Sequence, residues 1–515
     1  MTLRVIHPWR GLFACTLLTL ACGGGGGDGT DTAVSGTDTA ATGSDTMATG
    51  SASDPTEGDP TEGDPTGSTP DTVTEGTGPT TDDTTSAPTT TDTTAEPTAG
   101  DTTTLDTTTA VDTATTGETA TTDETATTDD GTTTDDGTTG IGGEADVLYV
   151  RDDGQDGNPG TIDQPLRTIQ WAIGKAEQMG TIDTIRVAEG EYSFDYANDE
   201  HIVMIPGVSL HGGYRADWGA RDPAQYVSRI VDASPQAIPS SENDPHRAIE
   251  IPAGVAADTT LAGFHIEVAR GQHRAAVFVE GDPTIRDNVI EPVVDNNTVT
   301  SYGVRVRQGH PAIVANRFRF DGLDGSATST AIHASASDGL FAANVIDLSG
   351  ITSNAYGLWL SDGAAKVLGN TIYLPDGVNR YGIYLFATAT PTVDNNVIET
   401  SDQSGVCIYS GDLDTVPTAT RNNVLDCGYT LFGVNPLRNL NTVMQIEDEL
   451  ANATDNLKLP QPVVEPEDFV LDAQNSCTVT QGGRDITADV PEDIDGEPRT
   501  PPLSIGAHEW DGGCQ

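Results

Sequence analysis

A phrase that returns six times in the second half of the chain restricts the fold more than any other feature. Asp287-Asn288-Val289-Ile290 is followed by Asn316-Arg317-Phe318, Asn344-Val345-Ile346, Asn370-Thr371-Ile372, Asn396-Val397-Ile398 and Asn423-Val424-Leu425, with asparagines 28, 28, 26, 26 and 27 residues apart. A second phrase keeps the same pace: Val277-Phe278-Val279, Val304-Arg305-Val306, Ile332-His333-Ala334, Leu358-Trp359-Leu360, Ile383-Tyr384-Leu385 and Val406-Cys407-Ile408. Between them lie Pro-led runs such as Pro283-Thr284-Ile285, Pro311-Ala312-Ile313 and Pro391-Thr392-Val393. In each run apolar residues alternate with others, the two-residue period of a strand. Three short strands per period describe one turn of a right-handed parallel β-helix, an all-β solenoid. A helical solenoid needs a period above about 30 residues and a 3.6-residue apolar pattern, and neither is present. Rungs then stack about 4.8 Å apart with their inward aliphatics in columns. Asparagine suits a fixed corner because it tolerates left-handed backbone and its amide can bond to the asparagine above and below. These six asparagines are therefore structural, within roughly ten rungs spanning Asp146 to Gln515.

The extreme N-terminus has the order of a bacterial export signal: Arg4 and Arg10, a largely apolar run from Leu12 to Ala21, then small residues around Cys22. About ten apolar residues cannot cross a hydrocarbon core that needs about 20, so residues 1–21 read as a cleaved signal peptide. Leu20-Ala21-Cys22 resembles the lipobox of bacterial lipoproteins, although Thr19 stands where that family prefers Leu. The resemblance implies acylation of Cys22 and a lipid anchor at the outer membrane or cell surface. An ordinary secretory signal is the alternative.

From Gly23 to Gly143 there are 25 Asp plus Glu and no Lys or Arg, amid Thr, Gly, Ser, Pro and Ala. Such a segment cannot bury enough apolar surface to offset the roughly 1–2 kcal/mol of backbone entropy lost per ordered residue. Residues 22–143 therefore read as a disordered, charge-extended stalk, bare or O-glycosylated. Residues 144–515 form the folded part, with 54 acidic against 22 basic residues. That field disfavours nucleic acid and anionic headgroups as partners, leaving membrane contact to the lipid anchor. Cys407, Cys427, Cys477 and Cys514 follow Cys22. An even number in an exported chain argues for two disulfides. Cys407 and Cys427 lie within one rung's length, whereas Cys477 and Cys514 bracket the C-terminal segment, and these are the expected pairs.

Leu148-Tyr149-Val150, Gly154, Asp156, Asn158-Pro159-Gly160-Thr161, Pro165, Thr168-Ile169 and Ala172 resemble the entry segment of right-handed β-helix proteins of the pectate-lyase-like superfamily. That resemblance implies a first strand and a helix capping the core. The C-terminal residues Asp468 to Leu471, Ser476-Cys477, Asp495-Gly496, Arg499 and Ile505-Gly506-Ala507-His508-Glu509 are similar to the choice-of-anchor closing segment of surface β-helix proteins, with Ser504 in place of the usual Asp. The polygalacturonase strings Asn-Thr-Asp, Asp-Asp, Gly-His-Gly and Arg-Ile-Lys do not occur here in that order. The calcium-holding acids and Lys or Arg base of a lyase are not assembled either, since Lys366 is the one lysine on a rung. Asp244-Pro245-His246 matches part of an alginate-epimerase motif, but Arg247 replaces its last Asp.

If the aliphatics of the second phrase point inward, its middle residues point outward in one column: Phe278, Arg305, His333, Trp359, Tyr384 and Cys407. Glu280, Arg307, Ser335, Ser361, Phe386 and Tyr409 flank it. Aromatic residues beside Arg and His suit sugar rings, hydroxyls and carboxylates, so Phe278, Arg305, Arg307, His333, Trp359 and Tyr384 are candidate ligand contacts. Loops covering the column would instead make it ordinary packing. Asp152, Asp156 and Asp163 occupy part of the spacing of an acidic calcium loop, with turn capping as the other reading. No cofactor is otherwise required. The expected function is a monomeric, non-catalytic surface module that binds glycan or another extracellular polymer. The alternative is a polysaccharide lyase or glycoside hydrolase using acids such as Asp321, Asp324 or Asp347.

Overall fold

Successive periods pair strand on strand in parallel, giving three sheets of 11, 10 and 10 strands. The computed structural model describes residues 146–198, 200–235, 238–322, 327–375, 377, 379–400, 404–411, 415–435, 438–459 and 476–509. The first sheet begins with Val147–Val150 and continues through Thr284–Arg286, Ala312–Val314 and Leu340–Ala342 to Ala453–Thr454. The second runs through His246–Ile251, His273–Val279, Thr300–Val306, Thr328–Ser335, Asn354–Ser361, Arg380–Phe386, Val406–Ser410 and Thr430–Val434. The third includes Val289–Val294, Arg317–Arg319, Val345–Asp347, Thr371–Leu374, Val397–Thr400 and Val424–Asp426. This is the right-handed parallel β-helix expected from the repeat. Its core is three aliphatic columns, among them Val277, Val304, Ile332, Leu358, Ile383 and Ile408 from the second sheet, all fully buried. Each such side chain contributes about 1.5–3 kcal/mol by leaving water.

The asparagine ladder stands at the corner between the first and third sheets. Side-chain amides donate from Asn288 to Asn316 at 3.0 Å, Asn316 to Asn344 at 3.2 Å, Asn344 to Asn370 at 3.0 Å, Asn370 to Asn396 at 2.9 Å and Asn396 to Asn423 at 3.0 Å. A seventh member, Asn456, accepts from Asn423 at 2.9 Å. The left-handed residues are not the ladder asparagines but the residues before them: Asp287, Ala315, Ala343, Gly369, Asn395 and Asn422, with φ of 52–61°. The ladder is thus selected by hydrogen bonding alone, because each amide also reaches a first-sheet carbonyl, as Asn344 Nδ2 does to Ile313 O at 2.9 Å.

The helix Ile169–Met179 covers the open N-terminal end of the core with Ile169, Ala172, Ile173 and Ala176. Thr168 caps it, and the left-handed Gly180 ends it. At the other end the closing segment returns along the ladder corner as a strap. Ile486, Val490 and Leu503 cover Ala342, Ala343 and Leu368, while Ile494 and Ala507 cover Ala315 and Val345. Arg499, its side chain fully buried, bonds Glu509 and the carbonyls of Gly506 and Ala507 at 3.0 Å each.

Candidate functional site on the second sheet

Strand register fixes what stands outside the second sheet. Glu250, Phe278, Arg305, His333, Trp359, Tyr384, Tyr409 and Gly433 pair rung by rung. Cys407 is not in this column. Ile383 pairs with Ile408 and Tyr384 with Tyr409, so the last phrase aligns two residues away from the expected position and Cys407 faces the core. There it is fully buried and disulfide-bonded to Cys427, with a Cα separation of 5.5 Å. Cys477 and Cys514, the other expected pair, lie outside the described side chains.

A second outward column stands three residues earlier on each strand: Arg247, Ala275, Tyr302, Thr330, Tyr356, Tyr381 and Val406. The strand bends between the columns at a small residue. A Cβ at Gly357 would sit 2.5 Å from Gly382 O, and one at Gly382 would sit 2.4 Å from Ile398 Cγ2. The sequence carries this column as a recurring Tyr-Gly pair at 302, 356 and 381, a signal that the three-residue phrase alone misses.

The N-terminal half of the face is charged and largely closed. Phe278 is 3% exposed, with the Arg247 guanidinium 4.7 Å and the Arg307 guanidinium 5.8 Å from its ring centre. Arg307 pairs with Glu280 at 2.6 Å. Glu250 pairs with Arg247 at 3.2 Å and meets His201 at 3.3 Å. The His201 hydrogen bond, followed by the Arg247 charge against opposing burial, holds the Glu250 carboxyl below its usual range. Arg305 is 7% exposed, and its guanidinium donates to Val306 O and Ser335 Oγ at 3.0 Å each, so it is not presented to a ligand. Burial, and then Arg305, keep His333 neutral, well below the usual histidine range.

The C-terminal half is aromatic. Tyr384 stacks on Tyr409 with centroids 5.3 Å apart and planes 15° apart, Tyr356 on Tyr381 at 5.2 Å and 19°, and His333 on Trp359 at 5.1 Å and 22°. Edge-on contacts such as Tyr356 to Tyr384, at 5.4 Å and 90°, join the two columns. The rings therefore stack on one another, and outward they offer edges and phenol hydroxyls. Burial, reinforced by Tyr381 and Tyr384, pushes Tyr356 up to about 12, and burial also raises Tyr381, Tyr384 and Tyr409. Each hydroxyl remains protonated near neutrality and can both donate and accept.

The other expected sites are dispersed. Asp156 accepts from Arg167 N at 3.1 Å, Thr168 N at 2.9 Å and Thr168 Oγ1 at 3.1 Å, which fixes the start of the helix. Asp152, Asp156 and Asp163 do not converge. Among the described residues, the three ligand-type side chains that do converge are Asp493, Asp495 and His508 in the strap. In the epimerase-like string, Asp244 is exposed beside Arg247, while His246 is buried against Asp232 at 2.8 Å. Lys366 ties the strap through Asp489 at 2.7 Å. Asp347 bonds Ser349 N at 2.9 Å, and the side chains of Asp321 and Asp324 lie outside the described residues.

Comparison with known proteins yields a match of residues 153–375 to a family described as a protein of unknown function (DUF1565). No curated protein matches. Similar solved structures include the pectate lyase Pel9A at 14% identity, covering 71% of this chain and 96% of that one, with a TM-score of 0.26. XylC in complex with xylose is 12% identical, covering 70% and 98%, with a TM-score of 0.30. A rhamnogalacturonan lyase is 12% identical, covering 69% and 95%, with a TM-score of 0.24.

Proposed function

We propose that this protein is an exported surface module whose β-helix binds polysaccharide across the aromatic half of the second sheet. The stalk of residues 22–143 holds it away from a lipid anchor at Cys22. The observation that carries this reading is the treatment of the two apolar exteriors. Outward Ala342, Leu368 and Val345 at the ladder corner are covered by the chain's own strap, whereas Trp359, Tyr384 and Tyr409 remain partly exposed. Contiguous apolar surface left open beside polar groups marks an interaction site, and phenols in rigid array supply both apolar contact and hydrogen bonds. The non-catalytic form is favoured by Glu250, whose carboxyl, held below its usual range, suits an ion pair and not a general acid that must hold its proton at neutral pH.

The charged end favours a second reading. Glu250, Glu280, Arg247, Arg307 and His201 gather on the same face, so a polymer crossing the aromatic half could reach acid–base groups. One experiment separates the two: the full chain on a glycan array, with reducing-end and unsaturated-product assays on every polymer bound. Retention without product is expected. Product release abolished by Glu250→Gln would establish the catalytic reading.

A further inference from the structure

At its C-terminal end the aromatic array stops in a specific way. Tyr384 and Tyr409 are partners on successive rungs, and the next residue in that column is Gly433. The flanking column ends alike, because pairing of Leu385 with Ser410 sets Gly411 beside Phe386. A Cβ at Gly411 would sit 3.3 Å from Phe386 Cδ2, and one at Gly433 would sit 2.9 Å from Tyr409 Cδ2. Each glycine thus lies directly under the last ring of its column, where a larger residue would stack on or displace it. Phe386 is 51% exposed, and Tyr429, at the same end, is 59% exposed. The nearby cations are not free to meet an acidic sugar: Arg380 is 1% exposed, and Arg438 pairs with Glu449.

We infer that the uncapped ends of the two columns, Phe386 over Gly411 and Tyr409 over Gly433, form a stacking subsite for one pyranose ring of a neutral polysaccharide. This rests on the reading of the face as a polysaccharide site, and adds where the chain is gripped and which chemistry is accepted. Within the columns ring faces meet ring faces, so a sugar there bonds phenol hydroxyls. Among the described residues no ring follows at either end, Asn439 being the residue paired beyond Gly433, and a sugar's apolar face takes the place of the next ring. Neutrality follows from uncharged phenols and committed arginines, in a chain of net charge −55 that repels polyanions.

Affinity electrophoresis of the full chain in gels containing galactan, mixed-linkage glucan, polygalacturonate or alginate tests this. A neutral polymer should retard the protein and the two polyanions should not. Phe386→Ala, at an exposed position, and Gly433→Val, which fills the gap, should each weaken retention at least tenfold with little change in melting temperature for the first. Retention by the polyanions as strong as by neutral polymers overturns the neutral assignment. If both variants bind as the unaltered protein does while Tyr356→Ala or Tyr384→Ala loses binding, the terminal subsite is wrong and the broader reading stands. If no variant changes binding, both fall.

Discussion

The ladder corner and the aromatic face are both outward surfaces of the same solenoid, built from the same rungs, yet only one is covered. At the corner the rung residues are small, Ala315, Ala342 and Ala343, and a returning segment lays Ile486, Leu503 and Ile494 on them. Ion pairs pin it along its length: Arg286 to Glu492 at 3.0 Å, Arg317 to Asp495 at 2.8 Å and Lys366 to Asp489 at 2.7 Å. On the second sheet the rung residues are large and mutually stacked, and no strap of the described chain crosses Tyr384 or Tyr409. The difference teaches that apolar character outside a rung has two distinct meanings. Small outward residues await a covering segment, whereas large outward rings that pack on one another can remain in contact with solvent and ligand.

Substitutions at the corner should act on stability and those on the face on binding. The largest effect is expected for Asn370→Ala, which takes away the partner of Asn344 N and of Phe341 O and leaves Asn344 Nδ2 with Ile313 O alone in a buried ladder. At about 1–3 kcal/mol for each orphaned group, urea denaturation should show a loss on the order of 4 kcal/mol. Leu503→Ala, on the inner side of the strap, should cost about 3 kcal/mol through its cavity. If it proves neutral, the strap is ornamental and the contrast fails. Trp359→Ala on the face should cost about 1 kcal/mol of stability through lost ring contacts, yet weaken polymer binding by about tenfold or more, since truncated aromatic anchors typically cost 1–3 kcal/mol. Equal losses in both measurements would make the column packing.

The smallest effect is in pH. Burial, then Arg221, holds His211 down to about 4, and burial with Arg305 holds His333 well below its usual range. The unfolded chain therefore binds more protons once pH falls below about 6.5, and stability declines from there towards the folded pKa. Replacing His333 by Phe should remove part of the decline in melting temperature between pH 6.5 and 4. An unchanged slope would show that His333 is protonated in the fold.

Much of this architecture is legible in the chain, because a period of about 27 residues with asparagine at one point leaves few alternatives. Rungs and ladder follow from it, the Cys407–Cys427 bond fits within one rung's length, and the capping helix is implied by the resemblance of the entry segment. The exact columns do not. Val406-Cys407-Ile408 matches the repeat pattern, but Cys407 stands only 23 residues after Tyr384, and the register keeps the 25 that separate Trp359 from Tyr384, which puts Tyr409 in the column. Asp287 and Ala315 take the left-handed corner in place of the asparagines, a distinction that composition does not carry. Phe278 and Arg305 satisfy the alternation yet lie buried, Phe278 under the guanidiniums of Arg247 and Arg307 and Arg305 turned to Val306 O and Ser335 Oγ, and side-chain reach across rungs is not a property of spacing.

Hydroxyl-radical footprinting of the full chain, with and without a retained polymer, tests the central claim most directly. The account predicts that oxidation of Trp359, Tyr384, Tyr409 and Phe386 falls on binding while that of the more exposed Trp171 and Met444 is unchanged. Protection of the strap or the helical cap with the four rings still oxidised at their free rates would contradict it.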